Sequence, residues 1–142
     1  MFNIVKKIIN KYREQLLYII FGVLTTLVNW VIYTVVLTKF NVNIGISNTL
    51  AWFFSVIFAY ITNKVFVFNS KTWRKQDLLK EIILFFSGRL ISGAIEIMGF
   101  PLLYYVGVNQ SALGIDGFAA KIVISVFVVI INYVLSKVFI FK

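Results

Sequence analysis

The chain has 142 residues, 61% of them hydrophobic, a mean hydropathy of +0.93, and a formal charge of +9 from fourteen Lys and Arg against five acids. Soluble domains are roughly 45–50% apolar, so a soluble fold of about one domain has nowhere to bury this much apolar surface. The absence of cysteine and histidine excludes disulfides and thiolate metal sites and removes the commonest general base, and no cofactor or metal is expected.

In chain order, residues 1–15 come first. Ile4, Val5, Ile8, Ile9 and Tyr12 recur at helical spacing with Lys6, Lys7 and Lys11 between them. This pattern predicts an amphipathic interfacial segment resting on anionic lipid. No short apolar core with a small-residue cleavage site follows it, so a secretory signal is not expected. Residues 16–142 then read as one four-helix transmembrane domain. A helix crossing a hydrocarbon core of roughly 30 Å needs about 20 apolar residues, and four runs qualify. Residues 16–38 carry no charge. Residues 44–62 are ended by Asn63 and Lys64. Residues 82–106 contain Arg89 and Glu96, and residues 117–136 hold Lys121 near their start, with Lys137 just beyond. The expected fold is an all-α membrane protein.

Orientation follows from the basic residues of the short loops. Lys6, Lys7, Lys11 and Arg13 precede the first span. Lys64, Lys71, Arg74, Lys75 and Lys80 lie between the second and third, and Lys137 and Lys142 follow the fourth. Residues 39–43 hold one basic residue and residues 108–116 hold none. Both termini and the middle loop are therefore expected in the cytoplasm. Because these charges flank apolar runs, their partner is read as membrane lipid, not nucleic acid.

The ends of the second and fourth spans match without gaps. Tyr60-Ile61-Thr62-Asn63-Lys64-Val65-Phe66-Val67-Phe68 aligns with Tyr133-Val134-Leu135-Ser136-Lys137-Val138-Phe139-Ile140-Phe141. The first and third spans match loosely, with Asn29 opposite Glu96. Two helical hairpins of the same orientation are predicted, a parallel repeat of the kind found in transporters. Snorkelling into the interface accounts for Lys137, whereas for Lys64 it leaves the preceding Asn63 unexplained.

Arg89 and Glu96 are seven residues apart, almost two helical turns, so they share one side at about 10 Å separation. A charge at the bilayer centre costs about 2.5–3.5 kcal/mol on insertion scales, so each should face the bundle or a water-filled cavity. Glu96 can neutralise a basic residue of another helix such as Lys121. Arg89 is left at the depth of Asn63 and Lys64, where a guanidinium and an ammonium suit a phosphate. Asn29, Glu96, Asn132 and Lys121 lie on polar stripes, although small and weakly polar residues also serve close helix packing. The expected ligand is anionic and membrane-borne. The remaining acids, Glu14, Asp77, Glu81 and Asp116, are placed at surfaces. With no hydrolase constellation, phosphate-cradling glycine loop or dinucleotide fingerprint, an enzyme is not expected.

The opening Tyr18-Ile19-Ile20-Phe21-Gly22-Val23, Asn29, the segment Ala59 to Phe68, Phe85-Phe86-Ser87-Gly88-Arg89 and the aromatic ending Asn132 to Phe141 together resemble the GtrA-like family of small four-helix membrane proteins over residues 16–141. Tryptophan is common in that family where Phe66 stands here. The resemblance implies a flippase that moves an undecaprenyl-phosphate-linked monosaccharide to the outer leaflet of a bacterial plasma membrane. Its partners would be the membrane glycosyltransferases of the same pathway, and the product a glycosylated cell-surface polymer. Composition rich in Ile, Lys, Asn and Phe points to an AT-rich coding sequence, and from it a teichoic acid is the expected polymer. On this reading Arg89, Lys64 and Asn63 bind the phosphate, while Asn29, Glu96, Asn132 and Lys121 form a polar pathway.

Two rivals stand beside it. An accessory subunit would anchor a glycosyltransferase through the basic stretch 71–80 with Trp73 and transport nothing. A small multidrug or cation exporter also has four helices and a buried carboxylate, but such pumps place it in the first span, which here has no acid. Four helices make a thin bundle, so a homo-oligomer enclosing a pathway is a further expectation.

Overall fold

The computed structural model describes residues 2–112, 114 and 116–141, apart from the side chains of Phe2, Asn3 and Val5. The apolar role of Val5 and the terminal charge of Lys142 thus lie outside the described residues. The protein is an all-α membrane protein, and among the described residues four helices are long and apolar enough to span a bilayer. The chain divides after Thr72 into two compact units.

The first unit holds α1 (Phe2–Lys11), α2 (Arg13–Lys39) and α3 (Ile44–Thr62), which runs on into a π-helical segment, Asn63–Val67. At 27 residues α2 is about 40 Å long, more than the hydrocarbon core requires. The turn after it uses Asn41 with φ 50°, a left-handed conformation that asparagine tolerates better than most residues. Asn43 then caps α3, its side-chain oxygen accepting from the Ile46 N–H at 2.9 Å, which satisfies one of the donors left open at a helix start. Ser47, Ala51, Ser55 and Ala59 recur every four residues along α3 and are all buried. Such a small-residue stripe is what close helix approach in a bilayer demands, because lipid supplies no hydrophobic drive between helices.

In the second unit, α4 (Lys75–Val106) and α5 (Phe118–Leu135) form a hairpin, and α5 also continues into a π-helical segment, Ser136–Ile140. The charged turns from Lys75 extend α4 ahead of its apolar run, and Pro101 lies inside it without ending it. Gly107 closes α4 with φ 113°, and the Val108 N–H bonds back to Leu103 O at 3.0 Å, satisfying a carbonyl the helix end leaves open. Gly117 has φ 67°, and a Cβ there would stand 2.8 Å from the Tyr104 ring. Both its backbone and its neighbours therefore require glycine. Gly99 lets α5 approach α4, since a Cβ on it would stand 2.5 Å from Ile124 Cδ1.

Each hairpin holds the same kind of aromatic contact within itself. In the first, Phe68, just past the π-helical segment, packs on Tyr18 near the start of α2 at 6.4 Å between ring centres. In the second, Phe141 packs on Phe85 of α4 at 6.0 Å. Phe68 and Phe141 close the matched aromatic segments, and the register that sets Asn29 opposite Glu96 also sets Tyr18 opposite Phe85. Each closing aromatic thus ties the end of its hairpin back to the beginning, which explains why the sequence repeats phenylalanine there.

Candidate functional site

Asn63 and Lys64 stand where α3 widens into π turns. The Asn63 N–H is shared between Ala59 O and Tyr60 O, and its side-chain Nδ2 donates to Ala59 O at 2.6 Å. Swapping the amide's oxygen and nitrogen would set oxygen against oxygen, so the assignment is fixed by the network. The Oδ1 atom is then a buried acceptor with no hydrogen-bond partner among the described residues, in a residue only 3% exposed. An unmet buried acceptor costs about 1–3 kcal/mol and can be relieved only by a donor, such as a hydroxyl or a water.

Lys64 is 1% exposed. Its ammonium donates to Ser70 Oγ at 3.1 Å and Thr72 Oγ1 at 3.3 Å, hydroxyls that are themselves 2.9 Å apart. Asn69, with φ 48°, turns the chain so that the Ser70 N–H reaches Lys64 O at 2.9 Å. Its repeat counterpart Lys137 is exposed and leans on Tyr133, donating to the phenol oxygen at 3.2 Å. The two matched lysines therefore occupy opposite environments: Lys137 is exposed and Lys64 is enclosed. Ser70 and Thr72 were not foreseen, because their role depends on a turn the apolar pattern does not encode. Higher on the same hairpin, half-buried Asn29 reaches Ser55 Oγ at 3.4 Å, and that hydroxyl donates to Trp52 O at 2.8 Å.

Arg89 belongs to the second unit, so the three residues expected to bind phosphate are divided between the units. Arg89 is half-buried, its guanidinium carbon 5.0 Å from the centre of the Phe85 ring one turn earlier. A guanidinium held by its face keeps its N–H edge available for bidentate binding. Among the described residues Arg89 forms no ion pair. In the register that superposes Tyr18 on Phe85, its position in the first hairpin is Gly22. The first hairpin therefore forms without a charge at this position.

Glu96 and Lys121 do meet: their side chains form an ion pair between α4 and α5. Asn132 is buried at 6% exposure, whereas Lys121 is exposed and Ser125 half-buried, so the polar stripe of α5 becomes more enclosed toward its C-terminal end. One expectation is corrected. Glu81, placed at a surface from sequence, is 5% exposed. It stands on the buried stripe Glu81, Phe85, Gly88 and Ser92 of α4, whose spacing of four, three and four residues keeps one helix face inward. That spacing is visible in the sequence, but the cluster Lys75, Asp77, Lys80 and Glu81 masks it as a solvated run.

The GtrA/DPMS transmembrane-domain family matches residues 17–141. This chain belongs to that family. Among its relatives, an uncharacterised membrane protein of Bacillus subtilis, YwcD, is 40% identical over 89% of this chain and 94% of its own length. The cell wall teichoic acid glycosylation protein GtcA of Listeria innocua is 39% identical over 89% of this chain and 83% of its own. GtcA of Listeria monocytogenes is 39% identical over 94% and 88%. No solved structure matches the chain. As a GtrA/DPMS-type domain it is a multi-pass membrane protein, and the matched span covers both hairpins, including Arg89, Asn63 and the Glu96–Lys121 pair.

Proposed function

We propose that this chain carries an undecaprenyl-phosphate-linked monosaccharide from the cytoplasmic to the outer leaflet of a bacterial plasma membrane, for glycosylation of a cell-wall teichoic acid. Similarity to the two GtcA proteins supports the pathway. The observation that carries the transport reading is Arg89, a guanidinium within a spanning helix that forms no ion pair among the described residues. A phosphodiester brings one negative charge, and a guanidinium edge meets it with two parallel hydrogen bonds. The desolvation each charge suffers alone is offset when they enter the low-dielectric region together.

The remaining roles follow from hydrogen-bonding capacity. Asn63 accepts from a sugar hydroxyl through its open oxygen, and its second amide hydrogen remains for a phosphate oxygen. Asn29 in the first hairpin and Asn132 in the second offer further polar contacts, each within its own unit, and Lys64 holds the turn at the end of the first. Seven residues beyond Arg89, about 10 Å along α4, the Glu96–Lys121 pair is a second polar station at which the anion can exchange partners. The polyprenyl tail stays in lipid throughout. The Lys and Arg bias supports a cytoplasmic position for both termini and the 71–80 stretch. The protein performs no covalent chemistry and works between membrane glycosyltransferases, as one chain or a homo-oligomer.

The test reconstitutes purified protein in liposomes and follows movement of a polyprenyl-phosphate sugar, with Arg89→Ala as control. Movement lost in a normally folded Arg89→Ala protein is the expected result. Undiminished movement in that variant would refute the phosphate role, and no movement by the folded wild type would favour the anchoring subunit.

A further inference from the structure

We infer that α1 is an anionic-lipid-binding helix that lies in the cytoplasmic headgroup layer and fixes the depth at which α2 enters the bilayer. At 100° per residue, Ile4, Ile8, Tyr12 and Ile9 fall within an arc of about 140°, and Lys6, Asn10, Lys7 and Lys11 occupy an opposite arc of similar width. The helix contains no acid, so every charge on its polar arc is positive. Its apolar arc is uncovered: Ile4 is 65%, Ile8 51% and Ile9 49% exposed.

Chain connectivity decides the occupant of that face. Only Tyr12 separates α1 from α2, a membrane span. The Tyr12 backbone, with φ −109° and ψ 18°, departs from the helical range for that one residue. Its N–H still bonds to Ile8 O at 3.0 Å, and its carbonyl still accepts from Leu16 at 2.9 Å. No flexible linker separates α1 from the cytoplasmic-side start of α2. A ten-residue helix with half its circumference apolar and half cationic, tethered at the interface, meets acyl chains with one arc and anionic headgroups with the other. A neutral protein groove would satisfy the first arc but give the lysines no partner.

The chain has no cysteine, so single substitutions Ile4→Cys, Lys7→Cys, Ile8→Cys and Lys11→Cys can each carry one environment-sensitive fluorophore in the full-length protein. Each is reconstituted in phosphatidylcholine vesicles with and without phosphatidylglycerol, the fold being checked by helicity and monodisperse elution. With phosphatidylglycerol, labels at 4 and 8 should be quenched by shallow brominated lipid, while those at 7 and 11 stay in water. Combining Lys6→Gln, Lys7→Gln and Lys11→Gln should shift the bound-to-free ratio about fivefold per lysine, on the order of a hundredfold in all. Labels left in water at all four positions would overturn the inference. Equal burial without phosphatidylglycerol, or in the triple variant, would overturn the anionic-lipid assignment. Protection found only in native membranes, and not in vesicles, would overturn it in favour of a protein partner.

Discussion

The Glu96–Lys121 pair predicts an asymmetry between its two halves. Lys121 is the fourth residue of α5, three rises or about 4.5 Å from the helix start at Phe118. Glu96 lies ten residues before the end of α4 at Val106, about 15 Å inside. When Glu96→Gln removes the acid, the four-carbon stem of Lys121 can carry its ammonium out to the interface, and the expected cost is only about 0–1 kcal/mol. When Lys121→Met removes the base, the short glutamate cannot reach the interface. An unpaired charge inside the span should then cost about 2.5–3.5 kcal/mol. Combining both substitutions removes the stranded charge, so the double variant should be more stable than Lys121→Met alone by about 2 kcal/mol or more. Equilibrium unfolding of the four proteins in mixed micelles gives the cycle directly. Equal single-variant costs, or costs that add to within about 0.5 kcal/mol, would refute the reasoning and mean that the pair sits at the water boundary.

Three further outcomes follow from the geometry. Lys64→Met should cost about 1.5–3 kcal/mol, the range for hydrogen bonds from a charged group, because it strips the enclosed ammonium from Ser70 and Thr72. Lys137→Met at the matched position should stay within about 0.5 kcal/mol, and unfolding titrations of the two variants compare them. Gly117→Ala should be destabilising by about 1–2 kcal/mol for the left-handed backbone, and by more for the displaced Tyr104 ring. Gly114→Ala, with φ 75° and open space around it, should show the backbone cost alone. Asn63→Leu removes an acceptor and should weaken binding of a sugar-linked polyprenyl phosphate by roughly fivefold, one net hydrogen bond. Bare polyprenyl phosphate should be much less affected, and equal losses for both lipids would count against a sugar contact.

Much of the fold was legible before any coordinates, because a bilayer leaves the backbone few options. A segment that crosses hydrocarbon must satisfy its own hydrogen bonds, so apolar length alone locates the spans. The expected spans 16–38, 44–62, 82–106 and 117–136 fall within or nearly coincide with α2, α3, α4 and α5 and their π extensions. The charges of α4 were legible for the same reason: Arg89 and Glu96 stand out because so little else in the span is ionisable. The matched aromatic endings were equally visible, though not that each closes on the first helix of its own hairpin.

What the sequence determined by itself is everything governed by local transfer free energy: the number of spans, their approximate ends, the amphipathic start, and which charges require an explanation. Tertiary structure decided what depends on a partner from another segment. Lys64 and Lys137 sit in the same motif, yet one is enclosed by a turn and the other lies against a tyrosine. The Glu96–Lys121 ion pair was one option among several until α4 and α5 came together. Glu81 reads as one more charge in a basic stretch, and only the inward face of α4 makes it a buried acid. Burial and pairing depend on which surfaces meet across the chain, and a periodicity repeated along one helix carries no information about its neighbour.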